Sequence, residues 1–188
     1  MSLHTACSTR LGLLTLTLTC AVWAVPRFEA NVGQAPREVR FLVRSSDYVL
    51  LLHGDAGMQY LLLGRDGDGN ILSQVWVQFV GGNPSPSVQG EGRLPGLTHY
   101  LLGSDPRRWV RDVPAYGKVR CRGVYRGVDM LLRGDQRELE FDFEIAPGAD
   151  PGQIRLRYRG ASSHRVDSAG DLVAQAGRVE LRGKRPRA

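Results

Sequence analysis

Gln136-Arg-Glu-Leu-Glu-Phe-Asp-Phe-Glu-Ile-Ala-Pro-Gly-Ala-Asp-Pro151 alternates acidic and apolar residues without a break from Glu138 to Ile145. A β-strand sends successive side chains to opposite faces, so this period of two predicts a half-buried strand. Leu139, Phe141, Phe143 and Ile145 are expected to face a core, and Glu138, Glu140, Asp142 and Glu144 to face water. Pro147-Gly148 and Asp150-Pro151 end the run, because proline lacks the ladder donor and glycine opens tight turns.

Short runs of the same kind recur along the chain. Candidate strands are Val39–Val43, Tyr48–His53, Met58–Leu63, Ile71–Val80, His99–Leu102, Trp109–Arg111 and Gly117–Cys121. Val128–Arg133, Glu138–Ile145, Ile154–Arg159, Ser163–Asp167, Leu172–Gln175 and Arg178–Arg182 follow. No segment sustains an apolar period of about 3.6 residues, the mark of an amphipathic helix. The expectation is an all-β fold, an antiparallel β-sandwich of many short strands, since alternation leaves each sheet one wet face. The 23 glycines and 10 prolines among 188 residues agree with short strands and frequent turns. Phe28 to Gln34 is too irregular to assign, and Gly81–Ser87 reads as a loop. Asp66-Gly-Asp-Gly-Asn70 and Ser168-Ala-Gly-Asp171 read as hairpin connections.

Residues 1–24 read as a cleavable export signal. His4 and Arg10 give a weakly positive start, Leu11 to Ala21 is an uncharged apolar and threonine run, and Val22-Trp23-Ala24 offers a cleavage site after Ala24. The run is shorter than the roughly 20 apolar residues a spanning helix needs. Thr19 disfavours lipidation at Cys20. Residues 25–188 are then a single domain with Cys121 as its one cysteine, so packing holds it together without a disulfide.

The net charge of +6 is carried almost wholly by arginine, with Lys118 and Lys184 the only lysines. The arginines are scattered along candidate strands, with no zinc-finger spacing and no aromatic RNA-binding signature, which argues against a nucleic-acid partner. The dense basic run Arg182-Gly-Lys-Arg-Pro-Arg187 reads as an end of the chain.

Four carboxylates on one strand face offer pairs about 7 Å apart, near the spacing of inverting glycosidases. Such pairs ordinarily converge from different strands in a cleft, so charge pairing with neighbouring arginines is the simpler use. Asp66, Asp68 and Asn70 imitate a calcium loop, but Ile71 and Val77 stand where glycine and a bidentate glutamate are required. His53, His99 and His164 lack metal-ligand spacing, and no serine sits in a nucleophile elbow. No catalytic residue, metal ligand or cofactor is assigned.

Seven segments occur in a familiar order: Phe28-Glu-x-Asn-x-Gly-Gln34, Val39-Arg-Phe-Leu42, Tyr100-Leu-Leu-Gly-Ser-Asp-Pro106 with Trp109, Val113-Pro-x-Tyr116, Val124-Tyr-x-Gly-Val-Asp129, Gln136-Arg-x-Leu-Glu-Phe-Asp-Phe143 and Ala146-Pro-Gly-Ala-Asp-Pro151 with Ile154-Arg-Leu156. Together they make the chain, from Phe28 to Pro186, resemble the uncharacterised N-terminal domain of bacterial secreted proteins with SBBP (β-propeller) repeats. The resemblance implies a non-catalytic structural or interaction module, exported to the cell envelope or beyond. Its expected partners are downstream β-propeller-type repeats or envelope components, with no membrane span in the mature chain. It also implies further strands past Val179–Arg182, so a domain truncated at its C-terminal end is expected.

In that reading Gly81–Ser87 and Leu94–Gly96 are presented loops, and Trp109, Tyr116 and Tyr125 are core aromatics. An alternative is glycan binding through exposed rings, with Trp109, Tyr100 and Tyr116 as the candidates. A third is polysaccharide cleavage by the Glu138–Glu144 face.

Overall fold

The computed structural model describes residues 26–63, 70–135, 138–177 and 179–185. The export signal, the Asp66-Gly-Asp-Gly turn, the calcium-like positions within it and the last basic residues lie outside this set. Thirteen strands carry the described chain: β1 (Phe28–Ala30), β2 (Val39–Arg44), β3 (Tyr48–His53), β4 (Met58–Leu63), β5 (Ile71–Phe79), β6 (Ser87–Tyr100), β7 (Val110–Tyr125), β8 (Val128–Asp135), β9 (Glu138–Ile145), β10 (Leu156–Arg159), β11 (Ser163–Val166), β12 (Leu172–Ala176) and β13 (Val179–Gly183). No α-helix occurs among the described residues.

Ten strands form one antiparallel sheet in the order β10-β5-β4-β3-β2-β1-β7-β8-β9, with β6 on the far edge of β7. β1 is the joint: Glu29 lies opposite Leu42 of β2 on one side and Ala115 of β7 on the other. Across that joint the sheet curls over, so that β2–β5 face β7–β9 as the two layers of a sandwich. β11–β13 form a separate small sheet whose Ala176 and Leu181 join the same core.

The core follows the alternation. Val43, Leu50, Leu52, Met58, Val75 and Val77 from one layer meet Val119, Cys121, Val128, Met130 and Leu132 from the other, all essentially without solvent contact. Burying each such side chain contributes roughly 1.5–3 kcal/mol. Leu139, Phe141 and Phe143 of β9 pack onto this core as the opening stretch requires. Ile145, at the strand's end, does not: it is 42% exposed. The Ala146 N–H bonds the Gly127 carbonyl, and the Asp150 carboxylate accepts the Gly152 N–H, so the chain turns away there.

Three assignments change. The segment from Phe28 opens with strand β1, whose Phe28 is wholly buried, and then closes on itself. The Asn31 amide donates to the carbonyls of Ala35, Pro36 and Val39, and Gln34 accepts the Val32 N–H. Second, Val110–Arg111 of the expected Trp109–Arg111 strand and Gly117–Cys121 are parts of one 16-residue strand, β7, while Trp109 closes the short turn before it. Third, β6 runs through Leu94–Gly96, so that stretch is a bulge, marked by a register shift between Arg93 and Leu97, and not a presented loop. Glycines and a proline concealed this strand; a bulged edge tolerates them because the inserted residues need no ladder partner.

One glycine on that edge is dictated by packing. A Cβ on Gly90 would fall 2.5 Å from Cγ of Tyr116, whose ring covers the bare backbone. Gly90→Ala should therefore lower stability by about 1–3 kcal/mol in urea denaturation, as overpacking does, and the loss should shrink in a Tyr116→Ala background. Strictly additive losses would show that the ring does not lie over Gly90 in solution.

Candidate functional site

The three aromatic candidates do not share one floor. Tyr100, at the end of β6, lies opposite Val110, one residue from Trp109. Its hydroxyl donates to the Glu29 carboxylate and accepts from Arg44 Nε at 3.1 Å, while the Arg44 guanidinium stands 5.3 Å over the ring. Thr98 Oγ1 donates to the other Glu29 oxygen at 3.0 Å. Partial burial, with the bond to Glu29, raises the Tyr100 pKa above its ordinary value. Trp109 is half-buried at the end of this hairpin, outside the core. Its Nε1 donates to the Gly103 carbonyl at 3.0 Å and Arg111 stands 5.0 Å over its ring. Tyr116 meets Phe41 edge-to-face, with centroids 5.8 Å apart. Because Tyr116 pairs with the buried Phe28 while Tyr100 bonds the next residue, Glu29, the two rings sit on opposite faces of β1. Of the expected core aromatics, only Tyr125 is fully inside.

The acidic face of β9 is open and paired with arginine. Arg133 of β8 reaches Glu140 at 3.1 Å and Asp142 at 3.0 Å. Arg120 of β7 bonds both Glu144 and Glu91, and these two bonds push its pKa further above its ordinary value. The side chain of Glu138 lies outside the described set. Elsewhere Arg182 meets Asp167, Asp171 and Glu180, so it belongs to the β11–β13 sheet and not to an unattached end. The histidines stay apart: His53 Nε2 is 3.3 Å from Gln59 Oε1, His99 Nδ1 accepts the Asp112 N–H at 3.1 Å, and His164 lies on β11. No cluster of three His, Cys, Asp or Glu able to hold a metal occurs among the described residues.

Concave surface gathers around the Gly81–Ser87 loop. An open groove of about 600 Å³ is lined by Glu38, Arg40, His53, Asp55, Pro84 and Ser85. It shares Asp55 and Pro84 with a second groove that runs on to Gln78 and Arg157. The expected loop Gly81–Ser87 supplies one wall of both. Beside them, the Trp76 ring of β5 lies 4.9 Å from that of His53, tilted by 37°. The signal for Trp76 was present: in Val75-Trp-Val77 the flanking valines are the core-facing pair, which turns the indole outward.

Cys121 is wholly buried, and its thiol is pushed up to about 12 by desolvation, with the nearby Asp129 charge adding to it. Unfolding frees the thiol to ionise near pH 9, its ordinary value here. The unfolded state therefore holds fewer protons than the native state between pH 9 and 12, and stability falls by about 1.4 kcal/mol per pH unit in that window. Buried Tyr60 adds to the fall at higher pH, because burial raises its pKa as well. Denaturant titrations from pH 8 to 10.5 should show this slope, and Cys121→Ala should remove its part below pH 10. Rapid labelling of the native thiol at pH 8 would contradict the buried placement.

A family model described as Domain of unknown function (DUF7948) matches residues 28–188. No curated protein matches the chain, and no solved structure does.

Proposed function

The chain belongs to the DUF7948 family, and we propose that its domain is a non-catalytic structural and interaction module of an exported bacterial cell-surface protein. In this reading it stands ahead of β-propeller-type SBBP repeats and offers surfaces to them or to envelope components. The observation that carries the proposal is the state of the acidic strand. Glu140, Asp142 and Glu144 line an open surface and spend their charge on Arg133 and Arg120. A general acid would need one carboxyl in an apolar pocket facing a second across a cleft. Continuous packing of both layers around one core suits a rigid spacer that holds its surfaces in fixed relation. Export rests on the uncharged apolar run Leu11–Ala21 that follows His4 and Arg10.

The test is a pair of assays on the secreted protein. Incubation with a panel of acidic and neutral polysaccharides should release no reducing ends. The variant Glu140→Gln/Asp142→Asn/Glu144→Gln should keep its fold with less than about 1 kcal/mol lost per exposed pair. N-terminal sequencing after expression in a bacterial host should begin at Val25. Turnover of a polysaccharide abolished by that triple variant would overturn the non-catalytic reading, and retention of residues 1–24 on a cytoplasmic product would overturn export.

A further inference from the structure

The arginines nearest the two ends of the large sheet differ in their surroundings. Those facing β9 are neutralised by carboxylates. Those on β10, at the opposite end of the sheet, are not: Arg157 and Arg159 make no ion pair among the described residues. Strands β3, β4, β5 and β10 carry no Asp or Glu at all. Arg157 and Arg159 therefore bring unpaired positive charge to a sheet face whose strands supply no carboxylate.

What surrounds these two arginines is specific. Directly paired residues share a sheet face, and Trp76 is opposite Arg159 on β10 and Gln59 on β4. Gln78 is opposite Arg157, and Gln74 completes the same face of β5. The amides are already oriented, since Gln59 Nε2 donates to Gln74 Oε1 at 3.0 Å while Gln59 Oε1 faces His53 Nε2. His53 in turn contacts Trp76, the two rings tilted by 37°. The indole N–H makes no hydrogen bond among the described residues. Gln78 and Arg157 border one of the two joined grooves and His53 the other, so the face runs into that concave surface.

We propose that this outer face of β3, β4, β5 and β10, centred on Trp76, binds an acidic polysaccharide, with the Trp76 indole as the stacking surface, His53 beside it, and Arg157 and Arg159 as the carboxylate readers. The proposal rests on the interaction-module reading and supplies its ligand class. The chemistry matches part by part. A pyranose ring presents an apolar C–H face that suits a flat indole. Its hydroxyls both donate and accept, as do the three glutamine amides. Carboxylates of uronic acid units fit the planar guanidinium fork, and two forks about 7 Å apart on one strand face suit a repeating anion better than a single one. A single-stranded nucleic acid is the poorer match, because it asks for rings in series. Along β5 the neighbours of Trp76 on this face are Gln74 and Gln78. Of the carboxylates near the grooves, Glu38 pairs with Arg37, while Asp55 accepts the Gly57 N–H and keeps its charge at the groove end, away from the register pairs that carry Arg157 and Arg159.

Affinity electrophoresis and calorimetry with polygalacturonate, dextran and oligo-dT test this. The expected result is binding to polygalacturonate that weakens with added salt, with at least a tenfold loss in Trp76→Ala and in Arg157→Gln/Arg159→Gln. Arg108→Gln/Arg126→Gln removes the same charge elsewhere and should bind unchanged. The two β10 arginines are exposed, so their variant remains informative if Trp76→Ala loses its fold. Equal binding of dextran, preference for oligo-dT, no binding of polygalacturonate, or equal loss in the control double variant would each overturn the proposal. Cleavage of bound polygalacturonate would instead overturn the non-catalytic reading while leaving the platform standing.

Discussion

An edge-to-face chain of rings closes this sandwich. Phe141 and Phe143 of β9 meet at 5.9 Å, Phe143 meets Phe79 of β5 at 6.0 Å, and Phe79 meets Tyr125 of β7 at 6.1 Å. Each such pair adds about 0.5–1.5 kcal/mol beyond the area it buries. The Tyr125 hydroxyl then fixes the next strand, donating to the Arg155 carbonyl at 2.9 Å and accepting the Arg155 N–H at 3.2 Å. Those bonds hold the entry to β10, which is how the far edge strand comes to lie beside β5. Once Phe79 faces inward, alternation places Gln78 outward, and the outer face of that layer is determined as far as Trp76.

The same closure separates the charges. β9 and β10 meet across the core through Phe143, Phe79 and Leu156, so the carboxylates of β9 and the guanidiniums of Arg157 and Arg159 point outward from opposite layers. Arg133 and Arg120 neutralise the acidic edge, and such an edge is a poor template for adding another chain. The basic edge lies beside an indole, three amides and a groove. The net charge of +6 sums over the whole chain and says little about either region.

Much of the fold was legible because the alternation is strong where the core is dense. β9 shows it residue by residue, and β3 and β4 match their expected limits, since Leu50, Leu52, Met58, Tyr60 and Leu62 are buried at every second position. β1 was not legible because three residues cannot display a period, and its neighbours Asn31 and Gln34 spend their side chains on a private turn. β6 was hidden by Gly92, Pro95 and Gly96, which read as loop in a sequence and as a bulge in an edge strand. Among the site residues, sequence pattern shows that Trp76 faces away from the core but not what lies beside it. Arg159 and Gln59 reach it from strands 83 and 17 residues away, through register alone. Likewise nothing local distinguishes Arg133, which has partners, from Arg157, which has none among the described residues.

If the ring chain unites the layers, they open as one body. Native-state hydrogen exchange measures this directly. The slowest amides should be those of Leu50, Val75 and Val77 in one layer and of Val119, Met130 and Leu132 in the other. All should share a single opening free energy and a single denaturant dependence, equal to those of global unfolding. Two separate isotherms, with β3–β5 opening while β7–β9 stay protected, would contradict the claim that packing across the two layers holds the domain together.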